Sequence, residues 1–306
     1  MSRLIDARLV FVLLLLPFAW SGQARAGHVE LEIEGVEDAE LENVRALLSI
    51  GGEHAQGEDV TGRTIRRLHR RAPGEIRRAL APYGYYEPSV EGELERDGDA
   101  WLARYRIDPG PRVQLVSVAI EIRGEAADDP AFAQARAGLD LQAGEPLIHP
   151  EYADAKRRLM ELAATRGYFD ATWIANTLRI DPDAREARAE LILDSGPRYA
   201  FGEVTFEQSF LDRRFLERYI PFEPGEPWQG DKLLSLQYAL DDAGYFQRVD
   251  VRARRDAIEN RRVPIRVELE RRPQNRYTFG VGYGTDTGAR VSAGWENRWF
   301  NRRGHT

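Results

Sequence analysis

The chain contains no cysteine. That excludes disulfides, thiol nucleophiles and cysteine-ligated zinc, so its folded parts must rely on hydrophobic cores alone. Lysine is almost missing as well. Lys156 and Lys232 carry the only ammonium side chains, and arginine supplies nearly all the positive charge. Nor is there a basic surplus: the formal net charge is −7, which argues against a general nucleic-acid binder. Beyond the N-terminus no run is long and apolar enough for a spanning helix. The histidines, His28, His54, His69, His149 and His305, are scattered and form no two-histidine helix motif. A Gly-x-Ser-x-Gly elbow is absent. Asp128-Asp129, Asp181-Pro182-Asp183 and Asp241-Asp242 read as turn or helix-end carboxylates rather than metal or acid–base groups. The expectation is a non-enzymatic chain with no cofactor.

What is present starts with an export segment. Arg3 and Arg8 precede an apolar run, Leu9 to Trp20, and Ala24-Arg25-Ala26 is a small-x-small cleavage site. This reads as a secretory signal peptide over residues 1–26, cleaved after Ala26. An uncleaved anchor is the competing reading, but the run has 12 residues, and a spanning helix needs about 20. The whole chain is 42% hydrophobic and 30% charged, ordinary for globular domains.

The mature part repeats itself. A glycine followed by aromatics recurs as Gly84-Tyr85-Tyr86, Gly167-Tyr168-Phe169 and Gly244-Tyr245-Phe246. Gly144-Glu145-Pro146 returns as Gly225-Glu226-Pro227, and Gly110-Pro111-Arg112 as Gly196-Pro197-Arg198. All these intervals are roughly 80 residues, too long for solenoid repeats and right for small domains. In the first interval, Val29 to Ile33 alternates apolar and charged residues as a half-buried strand does. Leu41, Val44, Leu47 and Leu48 then follow helical spacing, as do Ile65, Leu68, Ile76, Ala79 and Leu80. Pro73 either kinks this second helix or starts its second part. Two strands close the interval around an Asp97-Gly98 turn. The order strand, helix, helix, strand, strand recurs twice more. It includes helices over Pro150–Arg166, Asp212–Tyr219 and Asp231–Ala243, and a strand pair starting at Phe169. The glycines Gly84, Gly167 and Gly244 are expected to stop helices in the left-handed conformation. Tyr85, Tyr168, Phe169, Tyr245 and Phe246 are expected as core anchors. The Gly-Pro stretches read as short stiff linkers. The fold class is α+β, with units over 27–110, 111–197 and 198–273.

The last segment, 274–306, differs. Tyr277, Phe279, Val281 and Tyr283 share one face of an extended chain, against Thr278, Gly280, Gly282 and Gly284. After turn residues Thr285 to Gly288, Ala289, Val291, Ala293 and Trp295 resume the alternation. This is the pattern of a transmembrane β-barrel hairpin, with Tyr277, Phe279, Val281 and Tyr283 as lipid-facing candidates. A phosphate-loop reading of the glycines fails for want of a following helix and a lysine. Two strands cannot close a barrel, so the barrel is expected to be truncated after its first hairpin.

These motifs in this order resemble the POTRA domains of the bacterial outer-membrane assembly and secretion family. Within it they are most similar to the TamA-like autotransporter-assembly factors. Gly84-Tyr85-Tyr86-Glu87-Pro88, Arg166 to Asp170, Ser195 to Tyr199, Phe201 to Glu207, Pro221 to Gly225 and Gly280 to Gly288 carry the resemblance. It implies three tandem POTRA domains in the periplasm of a Gram-negative cell and a barrel in the outer membrane. It also implies a role in inserting and secreting β-barrel proteins. The implied partners are unfolded outer-membrane clients, autotransporters among them, a TamB-like protein anchored in the inner membrane, and outer-membrane lipid. Two other readings remain: a soluble periplasmic scaffold without insertase activity, and a pore-type secretion transporter with a dedicated client. Arg63 to Arg78 is expected to be the solvated face of a helix, with binding to acidic headgroups or an acidic partner as the alternative.

Overall fold

The computed structural model describes residues 29–52, 61–98, 100–273, 275–284 and 288–297. The export segment lies outside them, as do His28, His54 and His305. The chain divides into two compact units. The first holds the described residues up to Ala81 together with Glu87–Gly110; the second holds Pro82–Tyr86 and the described residues from Pro111 onward.

The first unit contains β1 (Val29–Glu34), α1 (Asp38–Leu47), α2 (Gly62–Leu80), β2 (Ser89–Asp97) and β3 (Ala100–Asp108). The sheet order is β1-β3-β2, with β1 parallel and β2 antiparallel to β3. The parallel pair needs a crossover, which the two helices supply, whereas the antiparallel pair needs only a short turn at Gly98, where φ is 60°. Trp101, Ala103, Tyr105 and Ile107 point from the central strand into the core. Opposite them, α2 buries Ile65, Leu68, Ala72, Ile76, Ala79 and Leu80. Thr61 caps α2 by accepting the Thr64 N–H, and the helix runs unbroken through Pro73. Glu75 was not marked in the sequence. Its side chain is 2% exposed and accepts from the Ser49 N–H at 2.9 Å and the Ser49 hydroxyl at 2.8 Å. The carboxylate thereby ties the 3-10 turn Ser49–Gly51 to α2.

The second unit repeats the plan twice. β4 (Gln114–Arg123), α3 (Pro130–Ala137), α4 (His149–Arg166), β5 (Thr172–Asp181) and β6 (Glu186–Asp194) give the sheet β4-β6-β5. β7 (Ala200–Glu207), α5 (Arg213–Leu216), α6 (Gly230–Asp242), β8 (Phe246–Ala253) and β9 (Arg262–Arg271) give β7-β9-β8. Each module has its own core, one around Leu115, Phe132, Leu147, Leu159 and Leu191, the other around Phe201, Leu216, Leu236, Val263 and Val267. Burying each such side chain contributes roughly 1.5–3 kcal/mol. Two elements differ from their sequence expectation. The helix expected over Asp212–Tyr219 is one turn of α5 followed by a 3-10 turn, Glu217–Tyr219. No side chain caps it, and Arg213 and Arg214 oppose the dipole at its start. The strand expected from Phe169 begins only at Thr172, because Tyr168 N–H first turns back to the Ala163 carbonyl.

In each of the three-stranded sheets the last strand of the module is central, so the two earlier strands are edges. The edges differ in how they are guarded. β4, β5, β7 and β8 each carry an irregular register step. β1 and β2 pair without a break but alternate glutamates along their exposed face. Bulges and charges are both means of discouraging edge-to-edge pairing.

The chain ends its described part with the hairpin β10 (Asn275–Gly284) and β11 (Gly288–Asn297). Tyr277 pairs with Trp295, Phe279 with Ala293, Val281 with Val291 and Tyr283 with Ala289.

Candidate functional site

Two features carry the candidate site: the face of the terminal hairpin, and the joints at which the echoed motifs meet. The register of β10 and β11 brings both apolar sets onto one face, with Thr278, Gly280 and Gly282 opposite Gly294, Ser292 and Arg290 on the other. Tyr277, Phe279, Val281 and Tyr283 are between 65% and 86% exposed, and Val291 and Trp295 are likewise uncovered. Each strand has 10 residues, within the range of about 9–11 that a transmembrane β-strand needs. Arg276 and Glu296 form an ion pair at 3.9 Å on the polar face. Large apolar side chains in water on both strands of a hairpin mark a surface meant to be covered.

The echoed motifs converge. The Gly84 carbonyl accepts the Val113 N–H at 2.9 Å, and the Val113 carbonyl accepts the Leu147 N–H at 2.8 Å. Leu115 N–H then donates to the Glu145 carbonyl, and Gly144 N–H to the Leu115 carbonyl. The second joint reproduces this bond for bond. Tyr199 N–H donates to Gly167, Trp228 N–H to Tyr199, Phe201 N–H to Glu226, and Gly225 N–H to Phe201. Three separate echoes in the sequence are therefore one backbone socket, formed where a helix ends and a first strand begins.

The glycines of the socket are required twice over. Gly84 and Gly167 have φ of 87° and 86°, which L side chains rarely adopt. An added Cβ would also stand 2.7 Å from the Leu147 carbonyl oxygen at Gly84, and 2.5 Å from Trp228 Cβ at Gly167. Gly167 caps α4, whereas a 3-10 turn, Ala81–Tyr83, separates α2 from Gly84. Gly244 has φ of 77° but nothing within 4 Å of such a Cβ. There the backbone bond shifts by one residue, with Arg272 N–H donating to the Tyr245 carbonyl.

The aromatics divide their work. Tyr168 is buried in the core of its own module. Phe169 packs against the next core, with Tyr199 at 5.5 Å and Trp228 at 5.2 Å between ring centroids. Tyr85 is half-buried under the Arg112 guanidinium, 4.7 Å from its ring. Tyr245 and Phe246 are both buried in the third core.

The second joint also contains a charged clasp. Asp129 caps α3 through the Ala131 N–H, and its side chain is 3% exposed. It accepts from Arg166 Nε at 2.6 Å and from the Tyr168 hydroxyl at 3.1 Å, with Arg198 at 4.0 Å. Burial alone would raise the Asp129 pKa. The hydrogen bonds from Arg166, Ala131 and Tyr168 outweigh it and hold the group below its ordinary value. Burial and the Asp129 carboxylate push Tyr168 up to about 12. Arg198 donates to the Arg166 carbonyl at 3.0 Å and the Trp228 carbonyl at 3.3 Å. Its backbone N–H donates to Glu125, which also accepts from Arg261 at 2.8 Å. Buried Ser195 accepts the Ala126 N–H and donates to the Gly196 carbonyl. The first joint carries a different pair beside its frame: the Tyr86 hydroxyl and His149 Nε2 share a hydrogen bond at 2.6 Å, while Arg112, the echo of Arg198, lies over Tyr85. Burial lowers the His149 pKa and raises that of Tyr86.

Asp129, Arg166, Arg198, Glu125 and Trp228 did not stand out in the sequence as a group. The one available sign was the arginine that ends both Gly-Pro stretches, which reads as part of a linker. The acidic clusters sit at helix ends or turns: Asp181 accepts the Ala184 N–H, and Asp241-Asp242 end α6. His69 bonds the Tyr105 hydroxyl at 2.9 Å. Gly280 and Gly282 lie inside strand β10.

Residues 30–109 match the family model described as POTRA domain, TamA domain 1. Among solved structures, the chain resembles POTRA3-5 of BamA from Haemophilus influenzae at 16% identity, over 80% of this chain and 96% of that one, with a TM-score of 0.43. BamA from Haemophilus ducreyi lacking POTRA domains 1-3 is similar at 19% identity, over 62% of this chain and 35% of that one, with a TM-score of 0.50. CdiB from Acinetobacter baumannii matches at 13% identity over 61% of this chain and 35% of that one, with a TM-score of 0.35. The chain thus spans 35% of the length of those last two chains. Residues 30–109 thus carry a POTRA domain, and two further β-α-α-β-β modules, with first and last strands paired in parallel, repeat its plan.

Proposed function

We propose that this protein is a periplasmic docking arm for outer-membrane protein assembly and secretion, continued by the start of a membrane barrel. The observation that carries this reading is the matched apolar face of β10 and β11, uncovered immediately after a POTRA array. Such a face fits the hydrocarbon of an outer membrane. The array would work without chemical catalysis. The sheet edges, although guarded against pairing with one another, would offer backbone groups to an extended chain, which gives affinity while tolerating varied side chains. That suits a factor that handles many unfolded β-barrel clients, autotransporters among them. A TamB-like protein anchored in the inner membrane would be its partner on the periplasmic side. The glycine face of β10 makes that strand pliable, so it would template the pairing of a client strand.

The absence of cysteine makes the test clean. Single cysteines placed through residues 277–284 of this chain should cross-link to a stalled client. Products only elsewhere in the chain would remove the templating role. Fractionation separates the main rival: release into the soluble periplasm would favour a free scaffold over a membrane-seated factor.

A further inference from the structure

Helix α2 carries seven arginines between residues 63 and 78. At 3.6 residues per turn they occupy about 140° of the helix circumference and extend about 22 Å along it. All seven are exposed, while Ile65, Leu68, Ala72, Ile76, Ala79 and Leu80 occupy the buried side. Near the middle of the stripe stands Gly74, with nothing within 4 Å of where its Cβ would be. Elsewhere arginines meet carboxylates: Arg104 reaches Glu32 and Glu95, Arg123 reaches Glu121, and Arg266 reaches Glu207. On α2, among the described residues, only Arg71 has a carboxylate within ion-pair distance, the buried Glu75.

The arrangement works against the helix. Arg63–Arg66, Arg63–Arg67, Arg66–Arg70, Arg67–Arg70 and Arg67–Arg71 are like-charge pairs at the spacing that destabilises helices. The first turn has no acidic residue to meet the helix dipole. The opposite face of the same unit has the opposite sign. Arg104 and Arg106 of β3 are each flanked by glutamates on both neighbouring strands, with Glu30 and Glu95 adding to the excess. The first unit is thus basic on its helix face and acidic on its sheet face.

We propose that the arginine stripe of α2 is a docking face for an anionic lipid surface, with the acidic sheet face turned away from it. The stripe carries no exposed large apolar residue, so it fits a polyanionic surface better than an apolar groove. Guanidinium forks match phosphate oxygens. A net charge of −7 means that the chain as a whole is repelled by such a surface, so any preference for it must be local. The inference rests on the proposed placement beside a bilayer.

The test is flotation of the full chain with phosphatidylcholine vesicles, with and without phosphatidylglycerol. The apolar hairpin should give binding to both. The stripe should add at least about a tenfold preference for phosphatidylglycerol, lost near 1 M salt, where the screening length is about 3 Å. Changing Arg63, Arg67, Arg70 and Arg78 to glutamine spares the Arg71–Glu75 pair and the contact of Arg66 with Trp101. This variant should lose the preference, keep the basal binding and unfold no earlier than the parent. Changing Glu91 and Glu93 to glutamine should raise the preference. Equal binding of the parent to both vesicles, or a preference that survives in the arginine variant, overturns the proposal. So does stripe-dependent capture by polyglutamate without any preference for phosphatidylglycerol, which would assign the face to an acidic protein. Binding to phosphatidylglycerol vesicles alone would instead count against the membrane reading of the hairpin, a separate failure, and no binding to either vesicle would overturn both.

Discussion

At Gly84 the backbone socket is closed by a tyrosine–histidine pair, whereas at Gly167 it is closed by a buried carboxylate between two arginines. The hydrogen-bonded frame is the same in both, four bonds matched residue for residue. The difference lies in what holds the frame shut. The first joint depends on an imidazole staying neutral. The second depends on a carboxylate staying charged, and it also gains from the insertion of Phe169 beside Trp228. One backbone device can therefore carry two different sensitivities, set by a few side chains around it.

The sharpest way to break the comparison is Asp129→Ala. It strips the α3 cap and leaves Arg166 and Arg198 without their shared counter-charge. Removing one partner of a buried ion pair costs about 3–5 kcal/mol, and the partial exposure of both arginines places this case near the lower end. Denaturant unfolding followed by tryptophan fluorescence would measure it, since Trp228 sits in the joint. Next comes the glycine series. Gly167→Ala combines left-handed strain with a Cβ pressed against Trp228, and should cost about 2–4 kcal/mol. Gly244→Ala has the same strain with free space around it, and should cost only about 1–2 kcal/mol. Equal losses at the two positions would show that the socket adds nothing beyond the backbone conformation.

Acidity should separate the joints. The folded pKa of His149 lies below its ordinary value, so the unfolded chain binds the proton more readily. Its contribution is present at neutral pH and falls away as pH drops through the ordinary histidine range, about 6.5, toward the folded value. The Asp129 pKa is shifted in the same direction, but its window lies lower, in the carboxylate range. Its contribution is present above the unfolded value and is lost only as pH falls from there through the folded one. Amide exchange, corrected for intrinsic rates, should show Val113 losing protection between about pH 7 and 5 while Tyr199 keeps it. The smallest effect is expected from Glu125→Gln. That carboxylate is half-exposed and bridges Arg198 and Arg261 at the surface, so its loss should cost less than about 1 kcal/mol by the same unfolding measurement.

Much of the architecture was written locally. The three-to-four spacing of Ile65, Leu68, Ile76, Ala79 and Leu80 set α2. The alternation from Tyr277 to Gly284 set β10, and the Asp97-Gly98 turn set the β2–β3 hairpin. The glycines at 84, 167 and 244 announced backbone conformations that L side chains avoid. Arg213 and Arg214 could have warned that the helix expected from Asp212 would be short, because their charge opposes the helix start. The side-chain site was far less legible. Asp129 looked like one of several acidic residues near helix ends, and Phe169 like the first residue of a strand. Their partners, Arg166, Tyr199 and Trp228, are distant in sequence, and no periodicity links them.

The sequence by itself determined the order of elements, the positions where helices must stop and the two faces of the hairpin. These follow from neighbours a few residues apart, whose sterics and periodicity act before any fold exists. Only the tertiary structure decided that three echoes form one socket. It also decided that a buried aspartate holds two arginines, and that, among the described residues, the arginines of α2 other than Arg71 lack the carboxylates their counterparts on the sheets possess. Those outcomes depend on which distant segments the chain path brings together, and on whether the charges that meet there are opposite or alike.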